Sequence, residues 1–302
     1  MKTACVAIAL LALLAAGCQR PERARAPAPA AARPSAPAPA AARPSPPAPA
    51  AARPSPERLA NQASRRNNGS AAVLRGRVLL YHIWAEDAGS SWTAAGQAEV
   101  RDRVRAAIGF LNHWAGVHGV DLAFIEETAG RARSGSEIPT DMFADPVWTQ
   151  RLIESAGAGD GNRFVADLKQ RHQADGVLFV IHVNKAASSY HLSFYDGMHP
   201  IFAAERIVCF WSYPDRTPTC AASYAHEILH AFGAGELYFP FDRTDERAKR
   251  ARGLFPNDIM CRVDRTIAAL NIGPFTAYRI GWTDRLDASL ASLEDVPAPP
   301  PR

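Results

Sequence analysis

The sequence predicts an α+β domain: a mixed twisted sheet with helices packed on it and a smaller irregular C-terminal lobe, carried behind a low-complexity leader. Three observations predict it. Branched and aromatic residues cluster at 75–84, 121–126, 176–184 and 206–211, the composition of strands. Between them apolar residues recur at helical spacing, most clearly Val100, Val104, Ile108, Leu111 and Trp114. The resulting order of strand, helix, strand, helix, strands, helix suits a sheet covered by helices.

Residues 1–17 have the build of a signal peptide: Lys2, an apolar run at 4–16 with Ile8, Leu10, Leu11, Leu13 and Leu14, then Gly17 before Cys18. The run is shorter than the ~20 residues that span a bilayer. Leu14-Ala15-Ala16-Gly17-Cys18 resembles the lipobox of bacterial lipoproteins. That resemblance implies a lipid on Cys18, which becomes the first residue of the mature chain, and Gln19 implies delivery to the outer membrane. No later segment reaches the ~18 apolar residues of a membrane helix, so the lipid is the expected anchor in the cell envelope, with the domain facing the periplasm or the surface.

Residues 18–70 read as a tether. A ten-residue unit repeats three times over 26–55, ending each time in Ala-Ala-Ala-Arg-Pro-Ser. Without aromatic or branched residues it has nothing to bury, and its prolines hold it extended. At roughly 3 Å per residue, about forty residues reach on the order of 100 Å. The net charge of +4 belongs to this leader: residues 1–66 hold ten Lys/Arg and two Asp/Glu, leaving 24 basic and 28 acidic residues beyond them. A net charge of −4 over the folded part argues against a nucleic-acid partner.

Residues 71–302 are long enough for one domain with a sizeable core. After the strand at 75–84, an amphipathic helix from Ala94 ends near Gly116 or Gly119. A short strand at 121–126 and a looser helical stretch at 145–172 lead to 176–184, an apolar run expected at the sheet centre. The strand at 206–211 is an edge or neighbouring one, and a helix follows from Pro218 to Phe232. The last ~70 residues are less regular, with a helix or turns at 271–282 and a Pro-rich tail. Cys209, Cys220 and Cys261 permit one disulfide in an oxidising compartment, with the pairing left open.

The chemistry concentrates in His226-Glu227-Ile228-Leu229-His230. Two histidines four apart share one helical face, so both imidazoles reach a single tetrahedral ion at about 2.0–2.1 Å. Zinc held there makes water more acidic, and Glu227 stands beside the first ligand to take the proton as general base. Gly233 then ends the helix, and Glu236 stands six past His230.

Residues 226–236 resemble the metzincin clan of zinc peptidases, whose pattern is His-Glu-x-x-His-x-x-Gly-x-x followed by a third ligand. The clan places histidine, sometimes aspartate, where this chain has Glu236. The resemblance implies a zincin-like fold, Zn2+ as cofactor, His226, His230 and Glu236 as its ligands, and zinc metalloendopeptidase activity on peptides or proteins. It also implies a methionine turn, matched by Pro256-Asn257-Asp258-Ile259-Met260, and strand addition of substrate to 206–211. Glu246, sixteen past His230, is the alternative third ligand if the chain is instead similar to thermolysin-like peptidases. Tyr238 and Tyr278 are candidate oxyanion donors. His191, Asp196 and His199 are surface polar residues or a second, structural ion site. Two rival functions stand beside the peptidase: a binding module on the same scaffold, and a hydrolase of a non-peptide amide or ester.

Overall fold

The structure is a computed structural model that describes residues 58–60, 69–157, 159–193, 203–238, 244–262 and 265–294. The signal segment, Cys18 and most of the tether lie outside the described residues. In chain order the elements are β1 (Arg58–Ala60), β2 (Gly76–Glu86), α1 (Ala94–Val117), β3 (Leu122–Arg133), α2 (Val147–Ala156), α3 (Gly161–His172), β4 (Gly176–Ala186), β5 (Tyr190–Leu192), β6 (Arg206–Ser212), α4 (Ala221–Ala231), α5 (Asp245–Leu254), α6 (Pro274–Arg279) and β7 (Arg285–Asp287). Short 3-10 turns lie at Ile267–Ala269 and Ala288–Leu293.

Five strands form one sheet in the order β3-β2-β4-β6-β5. All neighbours are parallel except β5, which runs antiparallel along β6. The apolar run Gly176-Val-Leu-Phe-Val-Ile-His-Val is buried along its length, as a strand covered on both faces must be. Alternate residues of β2 face opposite cores. Val78, Leu80 and Trp84 pack with α1 and α4, while Leu79, Tyr81 and Ile83 pack with α2 and α3. Helices on both faces of a mostly parallel sheet make the architecture α/β in character, where an α+β domain with a mixed sheet is expected from the sequence.

Local chemistry sets the boundaries. The Thr93 hydroxyl caps α1 by accepting from the Gly96 N–H at 3.0 Å. Gly119, at φ +68°, turns the chain toward β3. Asp160 caps α3, which is a separate helix from α2: the stretch expected at 145–172 divides around Gly157.

The described C-terminal residues do not form a lobe with a core of their own. Ile259, Met260, Ile272, Phe275, Ile280 and Trp282 join the cluster that buries α1 and α4. The folded unit also reaches back into residues read as tether. β1 pairs antiparallel with β7, and the Val177 N–H donates to the Ser70 carbonyl at 2.9 Å. Among the described residues no helix is long and apolar enough to cross a membrane.

Candidate metal centre

α4 is buried along almost its whole length, from Ala222 to Ala231, between the sheet and the C-terminal residues. Its sequence supplies apolar filling at Ile228, Leu229 and Ala231, so the histidines on its remaining face are held in fixed rotamers. The His226 Nδ1–H donates to the Ile259 carbonyl at 3.0 Å, and the His230 Nδ1–H donates to the Ala234 carbonyl at 2.7 Å. These bonds fix the tautomer of the neutral rings and leave both Nε2 lone pairs pointing inward, as second partners of metal-binding histidines do.

Gly233, at φ +103°, reverses the chain after α4 and brings Glu236 back over the helix. Glu236 Oε1 lies 3.3 Å from His226 Nε2 and 3.0 Å from His230 Nε2, and the two Nε2 atoms are 3.0 Å apart. Ligand atoms about 2.0–2.1 Å from a tetrahedral ion stand ~3.3 Å from one another, so this triangle has the size of one coordination face. Two inward-facing imidazole lone pairs cannot bond to each other, and a shared cation resolves that conflict. The residues therefore fit a metal ion, with the donor set His226, His230 and Glu236.

The electrostatics agree. At Glu236 burial opposes ionisation, but His226 and His230 outweigh it and hold the carboxyl well below the usual carboxylate range. At His230 burial opposes the charged ring, but Glu236 outweighs it and pushes the pKa up to about 9. The pair thus binds positive charge, for which a proton and a cation compete. Burial raises the Glu227 carboxyl above its usual range, with His230 and His226 pulling the other way. That is the direction expected of a carboxyl that takes up and returns a proton.

The surroundings support Glu236 and the turn beneath His226. The Tyr238 hydroxyl donates to Glu236 Oε1 at 2.9 Å, so it serves this carboxylate, where the sequence offers it as an oxyanion donor. Asp258 accepts from the N–H groups of Met260 and Gly273 and from the Thr276 hydroxyl, pinning the turn whose Ile259 carbonyl orients His226. Met260 is buried in the core, and its carbonyl accepts from the Leu237 N–H at 2.9 Å. Tyr278 is buried on α6.

Other sequence expectations fare differently. Glu246 sits in the exposed first turn of α5, ion-paired to Lys249 at 3.2 Å, and is not part of this cluster. The strand at 206–211 is not an open edge over its first half: β5 pairs along 206–208, with Tyr190 opposite Val208, His191 opposite Ile207 and Leu192 opposite Arg206. Among the described residues the outermost strand on that side is β5, three residues too short to show a period. Among the described residues no disulfide joins Cys209, Cys220 and Cys261. His191 is no surface residue. Its ring stacks on His230 at 4.4 Å between centroids and 16° between planes, and a ring nitrogen forms a second close group with Glu227 and His230. Asp196 and His199 lie outside the described residues.

No family model matches the chain, and no curated protein matches it. Among solved structures the chain is similar to metalloproteinase-II from Bacteroides fragilis, at 11% identity and a TM-score of 0.38, over 70% of this chain and 53% of that one. The chain spans about half the length of that protein.

Proposed function

We propose that the chain is a zinc-dependent peptidase that hydrolyses peptide bonds in envelope or extracellular proteins. The observation that carries this reading is the convergence of His226 Nε2, His230 Nε2 and Glu236 Oε1 within 3.0–3.3 Å, with Glu227 on the same helix. Two imidazoles and a carboxylate are a zinc donor set that leaves a position open for water and substrate. Zinc bound there supplies a Lewis acid that polarises the scissile carbonyl and makes water acidic enough to ionise near neutral pH. Glu227 accepts the water proton at its carboxylate and later delivers it to the departing amine nitrogen. His226 and His230 keep their ring planes through the Ile259 and Ala234 carbonyls. In this reading a lipid on Cys18 and the Pro/Ala-rich tether hold the enzyme at the outer membrane with lateral reach.

Elemental analysis of the full chain tests the reading. One zinc per chain is expected, lost in His230→Ala and weakened in Glu236→Ala. Glu227→Gln keeps the metal while peptide hydrolysis drops by about 10²–10⁴-fold, the usual contribution of general acid–base catalysis. A wild-type chain that takes up no zinc when supplied with it sinks the proposal. So does a Glu227→Gln protein that cleaves peptides as fast as wild type, because a binding module has no need of a base.

A further inference from the structure

We infer that His191 is a further catalytic residue: it donates a ring N–H to the carbonyl oxygen of the scissile bond, beside Glu227. The inference rests on the peptidase reading above and names a group that reading does not use.

His191 stands on β5, the outermost described strand of the sheet, beside α4. Its ring lies flat on His230, which fixes the ring plane. One ring nitrogen falls within 4.8 Å of both a Glu227 carboxylate oxygen and a His230 nitrogen. Among the described residues no hydrogen bond is made to either His191 nitrogen, although the ring is half-buried. An imidazole carries at least one N–H in either protonation state, so its capacity to donate does not depend on titration. A residue needed only to cover His230 would leave no donor unspent beside the reacting centre.

The chemistry has one role unfilled. Glu227 handles the proton, and His226, His230 and Glu236 hold the metal. Tyr238, an obvious phenol for the oxyanion, gives its hydrogen to Glu236. When water adds to the carbonyl carbon, the new C–O bond forms, the water proton goes to Glu227 and the carbonyl π pair moves onto oxygen. That oxygen accepts the His191 N–H without taking its proton. On collapse the C–N bond breaks, its electron pair leaves on nitrogen, and Glu227 protonates that nitrogen. A donor aimed at charge that grows only in the transition state accelerates turnover more than it tightens binding.

The test compares wild type, His191→Phe, which keeps the stack without a donor, and His191→Gln, which restores an N–H. Zinc content, kcat and KM on one peptide, and calorimetric affinity for a phosphinic peptide and for a cleaved product peptide are measured on the full chain. Expected are one zinc per chain throughout and a kcat for His191→Phe lower by about 10²–10³-fold at similar KM. Phosphinic affinity falls with kcat, product affinity is unchanged, and His191→Gln recovers about tenfold of the loss. If His191→Phe does not fold, His191→Ala with added imidazole decides, recovery of turnover supporting the role. Wild-type turnover in His191→Phe overturns the inference and leaves the peptidase reading intact, as does loss of zinc, which makes His191 a ligand. A zinc-loaded wild type that cleaves no peptide overturns both.

Discussion

Glu236 owes its position to a hydroxyl two residues on. The Tyr238 O–H donates to the oxygen that faces His226 and His230, so the carboxylate is oriented before any cation arrives. Removing that hydrogen bond in Tyr238→Phe should weaken zinc binding by about 10–100-fold, the usual cost of losing an outer partner of a metal ligand. Competition with a chelator measures it, and turnover at saturating zinc should stay near wild type. Unchanged zinc affinity would show that the turn alone positions Glu236. At this scale the sequence was legible where the site is local. His226, Glu227 and His230 share one helical face by spacing, and Glu236 follows through a glycine turn six residues later. His191 was legible as a polar candidate but not as a neighbour of His230 and Glu227, because it reaches that centre from a three-residue strand more than thirty residues upstream. Tyr238 was legible as a functional hydroxyl but not as to which atom it serves, since that depends on the turn at Gly233.

Elements differ in how plainly their sequences declare them. β2 and β4 follow from their continuous apolar residues, because both faces are covered. β3 was expected to end at Glu126 but runs to Arg133, since its outer half is polar and carries the alternation of a partly exposed edge. The turn after α4 is the element on which the site most depends. Gly233 has φ +103°, and a Cβ there would stand 3.1 Å from the Arg279 carbonyl oxygen. Arg279 in return donates its Nε–H to the Gly233 carbonyl at 3.0 Å and pairs with Glu294 at 2.9 Å, so the turn has no room to slide. Gly233→Ala should therefore cost about 1–3 kcal/mol through backbone strain and displace Glu236 from the histidines. Urea unfolding reads the first effect and zinc content the second. A variant as stable as wild type that retains zinc would show that this turn tolerates a side chain.

Across the whole molecule, polar side chains cross the sheet beneath α1 and α4. Glu126 on β3 accepts from His82 Nε2 at 3.2 Å, and His82 Nδ1 stands 2.9 Å from His182 Nε2 on β4. Trp84 stacks on His182 at 4.4 Å, and Cys209 lies beside it in register on β6. His182 Nδ1 has no hydrogen-bond partner among the described residues. Burial holds His182 well below the ordinary histidine range, with the charges of His82 and Arg101 acting in the same direction. The unfolded chain takes up this proton near pH ~6.5 while the folded chain refuses it. Stability from His182 is thus fully present above about pH 6.5 and is lost as pH falls below it, by up to ~1.4 kcal/mol per pH unit. His191 is depressed in the same sense, chiefly by burial, and adds to the slope. His230, raised to about 9 by Glu236 against its burial, contributes stability lost on the other side, as pH rises from about 6.5 through 9. Asp87 and Glu126 lie below this window, because their carboxyls are held down and act only in stronger acid. Glu227 and Asp258, whose carboxyls burial raises, act in the opposite sense, so chemical denaturation of the zinc-free full chain at several pH values between 7 and 5 reads the acid-driven fall due to His182 as the difference between wild type and a variant. His182→Gln, which keeps a polar atom near His82 but does not titrate, should flatten that fall by about one proton. An unaltered slope in this variant would mean that His182 gains its proton as readily in the folded sheet as in the unfolded chain.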